Sequence, residues 1–233
     1  MIFPFLSNKA IDGEAVLLRG EALGHRATEI PVDLDCIVYD HLCERDQLSI
    51  DDELDLPDED GDEVLGKTLV REARILINGR LKRSGDVGRF RFTLAHEVGH
   101  WRLHRRCILA ADEQGSLFGE ARARDVITTL NRGVVGPNPP RHEVQANRFA
   151  ATLLIDPKIL SREFAVRFGP EGAGAILNPL RHLTLRDRGR RLAGHVVRSS
   201  PSLAAAFAVS LEAMAIALES RGYLADGPSL FQS

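Results

Sequence analysis

Apolar positions along the chain fall into helical and strand-length patterns separated by polar and glycine- or proline-rich breaks. From Pro31, Leu34, Ile37, Val38 and Leu42 mark one face of a helix, with Asp33 placed to cap it. Residues 1–30 give mixed signals and read as an N-terminal arm. Thr68-Leu-Val and Arg74-Ile-Leu-Ile-Asn78 have strand length, the second closed by a turn-forming Asn78-Gly79. A basic loop, Arg80 to Gly88, leads to a helix that Thr93 can cap. Gly133 to Pro140 is loop composition, and a helix is predicted over 141–154. Asp156-Pro157 then opens another helix with Leu160, Phe164 and Phe168 on its apolar side and Gly169 ending it. Leu203 to Leu218 reads as two short helices broken near Ser210, itself a good cap. No internal repeat is visible. The pattern predicts an α+β fold whose small antiparallel sheet packs on a central helix, followed by a helical C-terminal part.

Composition narrows the class. Of 233 residues, 44% are hydrophobic and 27% charged, with a formal charge of −3, as in an ordinary globular protein that is neither a polyanion binder nor halophilic. Cys36, Cys43 and Cys107 include no Cys-x-x-Cys pair, which argues for a reducing compartment and for thiols acting as small buried hydrophobes. The N-terminus lacks a signal-peptide pattern, and the apolar tail is interrupted by Ser210 and Glu212, so a cytoplasmic location with no membrane span is expected. Asp51 to Glu63 carries nine carboxylates and no base. It fails as a calcium loop, because with Gly61 at the turn the first and twelfth positions are Leu56 and Lys67. A solvated acidic loop is expected instead.

The chemistry concentrates in Arg91-Phe-Thr-Leu-Ala-His96-Glu97-Val-Gly-His100-Trp-Arg-Leu-His104. On a helix His96 and His100 stack on one face, able to grip one metal ion, and Glu97 stands beside the first ligand as a general base. That is the arrangement of zinc metallopeptidases, in which a third protein ligand leaves one position open. The helix after the proline loop offers Glu143 as that ligand. Asn147, one turn on, can accept a hydrogen bond from the outer nitrogen of a ligand histidine. Taken alone, Glu143 also reads as a solvent-facing helix carboxylate.

Phe92-Thr-Leu-Ala-His-Glu-Val-Gly-His with His104 resembles the metal helix of the ImmA/IrrE family of metallo-endopeptidases. Glu143-x-x-Ala146-Asn147-x-Phe149-Ala150-Ala151-x-Leu153-Leu154 is similar to that family's second signature, Ile75-Leu-Ile-Asn78 to the strand before the metal helix, and Phe207-x-Val209-Ser210-x-x-Ala213-Met214 to its C-terminal segment. The resemblance spans about residues 31–225. It implies a zincin-like domain over 31–169 and a helix-turn-helix-like subdomain over 170–233, with the arm over 1–30 outside it. By the same resemblance His96, His100 and Glu143 hold zinc and Glu97 is catalytic. The implied substrate is a protein, a helix-turn-helix transcriptional repressor cleaved to relieve repression. Two departures stand out: a long stretch from Trp101 to His142, and Asp156 before Pro157.

Tyr39, His104, Arg148 and Tyr223 are chemically able to stabilise an oxyanion; His104 is better suited to packing or to a hydrogen bond with a ligand. Strand 74–78 can accept an extended substrate as an added strand. Two rival functions remain. Gly61-Asp-Glu-Val-Leu-Gly66-Lys67-Thr68 fits a P-loop, with Ala150 to Asp156 as its acidic strand, although Asp62 and Glu63 would repel a phosphate. The other is a DNA- or partner-binding regulator with a vestigial metal site, for which the Phe207–Leu218 unit has the length but not the polar side chains. Direct nucleic-acid binding is therefore not expected. Basic Arg186 to Arg191 reads as a solvated face.

Overall fold

The computed structural model describes residues 3–59, 61–115, 126–131, 139–197 and 200–224. The chain forms two compact units, Met1–Ala27 with Asp33–Leu153, and Thr28–Val32 with Leu154–Ser233. The predicted proline loop falls largely outside the described residues.

The first unit is built on a four-stranded sheet and three long helices. Strands β1 (Ser49–Asp51), β2 (Glu63–Leu69), β3 (Arg74–Ile77) and β4 (Val126–Asn131) lie in the order β1-β3-β2-β4. β2 runs antiparallel to β3 and β4, with Thr68 opposite Ile75 and Gly66 opposite Thr129, while β1 runs parallel to β3. The sheet is thus mixed rather than wholly antiparallel. β3 is interior, hydrogen-bonded on both sides, which removes it as an edge for substrate. Among the described residues the outer strands are β1 and β4.

Gly61–Thr68 is not a phosphate cradle. Val64, Gly66 and Thr68 alternate inward along β2, and a turn at 70–73 returns the chain into β3. The helix that a P-loop requires after its Lys-Thr does not form, and Ala150 belongs to a helix. Asn78-Gly79, expected as a turn, closes β3 by opening a helix. The buried Asn78 amide donates to Val64 O at 2.7 Å, and its Oδ1 accepts from Arg80 N at 3.1 Å, capping α3 (Gly79–Arg83). The loop expected over 80–88 is therefore half helix. Its cations meet the acidic run: Lys82 binds Asp52 at 3.0 Å, Arg80 binds Asp58 at 3.3 Å, Arg83 binds Asp55, and Arg89 binds Glu63 at 2.8 Å. Each exposed pair contributes at most about 1 kcal/mol, but together they account for carboxylates that the sequence left solvated.

The central helix α4 (Val87–Gly115) starts six residues before Thr93, because Asp86 rather than Thr93 receives the first free amide, Arg89 N, at 3.0 Å. Leu94, Val98, Trp101 and Ile108 form its buried face. It meets α5 (Arg141–Leu154), which occupies its predicted span, across Gly99. A Cβ at Gly99 would stand 3.2 Å from both Ala146 Cα and the Phe149 ring, so the missing side chain lets the two backbones approach.

The arm contains α1 (Asn8–Leu23), capped by Ser7 and burying Ile11, Ala15 and Leu18. Its Asp12 accepts from Arg148 at 2.5 Å and Thr152 at 2.8 Å, tying α1 to α5, and the buried Arg19 donates to Leu153 O at 3.1 Å. Asp33 caps the next turn as predicted, accepting from Cys36 N at 3.0 Å, but Cys36–Leu42 is wound as a π-helix before α2 (Cys43–Asp46). The three cysteines are free and half-buried, not fully buried.

The second unit is helical. Asp156 caps α6 (Pro157–Leu177), accepting from Lys158 N at 2.8 Å and Ile159 N at 3.0 Å. At Gly169 φ is 60°, and the chain kinks there before resuming helix instead of ending. α7 (Leu185–Gly194), α8 (Leu203–Phe207) and α9 (Leu211–Ser220) complete the unit. Ser210 caps α9 as predicted. Arg186 binds Glu212 at 2.6 Å and Glu219 at 2.8 Å, and Arg190 binds Glu212, so two arginines of the basic stretch pair with acids of α9. No helix among the described residues is long and apolar enough to cross a membrane.

Candidate metal centre and its carboxylate

The crossing at Gly99 sets His96 and His100 of α4 opposite the first turn of α5. His96 Nε2 and His100 Nε2 are 2.9 Å apart, and the carboxylate oxygens of Glu143 lie 3.2 Å from the first and 3.3 Å from the second. One donor atom from each residue lies within 4.8 Å of the others. Tetrahedral ligands at the ~2.0–2.1 Å bonds zinc makes with nitrogen and oxygen stand about 3.3 Å apart. The three side chains therefore bring their donors close to the spacing one such ion requires.

Electrostatics suit the same role. Both imidazoles are buried, and burial lowers His100 to about 3, leaving it neutral. Burial works against ionising Glu143 too, yet the imidazoles of His100, His142 and His96 gathered around its oxygens prevail and hold it well below the usual carboxylate range. For His96 burial is likewise outweighed, by the neighbouring Glu143 and Glu97, which raise it above the usual imidazole range, and a metal ion would have to displace that proton. Asn147 Oδ1 is 2.9 Å from His96 Nδ1, where it orients that ring.

Glu97 is fully buried against β2. Its Oε2 accepts from Thr68 Oγ1 at 2.6 Å, while Oε1 has no partner among the described residues. Thr129 of β4 lies beside the same carboxylate without completing a hydrogen bond. Burial raises Glu97 to about 7, the range of a group that both takes and gives a proton at neutral pH. Gly66 makes room for it: a Cβ there would fall 2.7 Å from Oε1 and 3.0 Å from Cδ. Gly66→Ala should accordingly push the carboxylate aside, lowering kcat by at least ~10-fold with metal content unchanged. Wild-type kcat in that variant, measured beside its metal content, would mean that Glu97 does not act from this position.

The oxyanion candidates separate. Tyr39 donates to Asp52 at 3.0 Å, Arg148 is held by Asp12, and Tyr223 stacks on Phe164 at 4.5 Å in the second unit. His104 is buried, with Nδ1 3.0 Å from His100 Nδ1. His142, overlooked in the sequence, has Nε2 3.3 Å from Glu143 Oε1 and is partly exposed beside the donor cluster. Thr68, Thr129, Gly66 and Gln145 were equally unforeseen. For the first and third, the alternation Val64-Gly66-Thr68 was a readable strand signal.

A family model described as Peptidase_M78, IrrE N-terminal-like domain, matches residues 46–219, well over half of the chain. No curated protein and no solved structure matches significantly. The family match supports a metallopeptidase-type function, and hence a protein substrate.

Proposed function

The chain belongs to the IrrE N-terminal-like family of M78 peptidases, and from that premise we propose that it is a zinc-dependent endopeptidase that cleaves a transcriptional repressor. The observation that carries the reading is the convergence of His96, His100 and Glu143 beside a buried glutamate with one uncommitted oxygen. In it, His96, His100 and Glu143 hold zinc and Asn147 positions His96. The repressor follows from similarity to the ImmA/IrrE endopeptidases, and the cytoplasm is where such a substrate resides.

When bound, zinc supplies a Lewis acid that polarises a carbonyl and acidifies a water. The residues do the rest. Glu97 Oε1 takes a proton from the attacking water, and Thr68 steadies the other oxygen as charge moves. Glu97 then returns the proton to the departing amine. His142, partly exposed with Nε2 3.3 Å from Glu143 Oε1, is a further donor for the developing oxyanion. Of the two outer strands β4 carries Thr129 to Glu97, so an extended peptide adds its backbone to β4 rather than to the interior β3.

The zinc-loaded chain, incubated with a panel of purified helix-turn-helix repressors, should produce fragments cut at internal bonds, as read by mass spectrometry. Dialysis against a chelator should stop cleavage, and added zinc should restore it. Cleavage that survives complete metal removal, or trimming only from one end, would refute the proposal.

A further inference from the structure

Behind His100 lies a run of buried polar contacts that leads away from the donor cluster. His100 Nδ1 is 3.0 Å from His104 Nδ1, His104 Nε2 is 3.0 Å from Gln145 Oε1, and Gln145 Nε2 is 3.0 Å from the Pro4 carbonyl. His100 and His104 are fully buried and Gln145 nearly so. Phe3 closes the outer end, packing edge-on against the His104 ring at 4.9 Å and joining Val70, Ile108 and Ile127.

One atom fixes the direction of every link. A carbonyl oxygen only accepts, so the Gln145 NH2 must face Pro4 and the Gln145 oxygen must face His104. His104 Nε2 then carries the hydrogen, and its Nδ1 is a bare acceptor. Two ring nitrogens 3.0 Å apart need one hydrogen between them, so His100 Nδ1 must donate it. That leaves the lone pair of His100 on Nε2, the atom that faces Glu143. Reversing any link would put a hydrogen on Nε2, where an ion must bind.

We propose that His104 and Gln145 are positioning residues which, anchored on the Pro4 carbonyl, form a one-way donor chain holding His100 in its metal-binding tautomer. This rests on the metal-site reading above. It assigns to residues of the N-terminal segment a part in metal affinity, and it separates the two ligand histidines. His96 is oriented by a single contact to Asn147 on α5, whereas His100 is oriented by a relay through a second histidine.

The test is zinc affinity by competition with a chromophoric chelator, with the visible spectrum of the cobalt-loaded chain beside it. His104→Leu and Gln145→Leu should each weaken zinc binding about 10–100-fold, the usual effect of losing a partner of a ligand histidine. Both should also shift the cobalt bands. His104→Asn, whose Oδ1 can replace the accepting nitrogen, should recover most of the affinity. Should the leucine variants not fold, the nitrogen-15 signals of His104 in the zinc-loaded wild type decide: the chain requires hydrogen on Nε2, and hydrogen on Nδ1 overturns it. Zinc binding within about twofold of wild type in both leucine variants, alongside loss in Glu143→Ala, would overturn the chain and leave the metal site standing. A wild type that takes up no zinc overturns both.

Discussion

Glu97→Gln is expected to lower kcat for peptide hydrolysis by about 10²–10⁴-fold, the span associated with a positioned proton-transfer group, while the chain still binds its metal. The substitution changes little else. Glutamine has the same length and branching, and its side-chain oxygen can accept the Thr68 hydroxyl that Glu97 Oε2 accepts at 2.6 Å. The space beside Gly66 admits the second terminal atom as before. A neutral amide in this fully buried pocket carries a smaller desolvation cost than a carboxylate, so the variant should be at least as stable as wild type. What it loses is a basic oxygen. The variant should therefore retain metal by atomic absorption and show unchanged thermal unfolding, with turnover of a quenched peptide near background. Hydrolysis at the wild-type rate would show that the proton is handled elsewhere, and His142, beside the donor cluster, would be the next group to examine.

Those expectations divide along a line that also separates what the chain made readable from what it did not. Features decided within one turn of backbone were readable. Asp33, Asp156 and Ser210 cap where their side chains can reach amides two or three residues on, and the His96–His100 spacing fixes a shared face whatever surrounds it. Glu143 and Asn147 were readable as a pair for the same reason. Features decided by how elements cross were not. Gln145 sits two residues from Glu143, off its face, and meets His104 only because Gly99 lets α5 come close to α4. The partners of the acidic run depend on the sheet bringing Asp52, Asp58 and Glu63 to α3 and the start of α4. Thr93 lost its capping role to Asp86 because nothing in 87–92 breaks a helix, so the helix propagates back to the first side chain that can end it. The P-loop pattern misled for a different reason. It records residue types and spacing, which Gly66-Lys67-Thr68 satisfies, but the same glycine and threonine lie on one face of a strand, where they hold a carboxylate instead of a phosphate.

Glu143→Ala should remove the metal altogether. Losing a partner of a ligand typically costs 10–100-fold in affinity, so losing the ligand itself should exceed ~100-fold. The electrostatics sharpen this. Of the three donors only Glu143 brings charge, and its ionisation is favoured by the three histidines around it. Without it, two imidazoles whose Nε2 atoms are 2.9 Å apart are left with no carboxylate between them to bind an incoming dication. The fold should survive, because Glu143 is partly exposed on the first turn of α5, whereas the contacts that seat that helix run through Ala146, Phe149 and Leu153. Stability then offers a readout independent of activity. Zinc at about 100 times its dissociation constant should add about 2.7 kcal/mol to the wild type by mass action, visible as a rise in Tm that Glu143→Ala lacks. A variant that keeps both the zinc and the rise in Tm would strike Glu143 from the donor set. His96 and His100 would then be two ligands without a third, too few for the zinc chemistry proposed here.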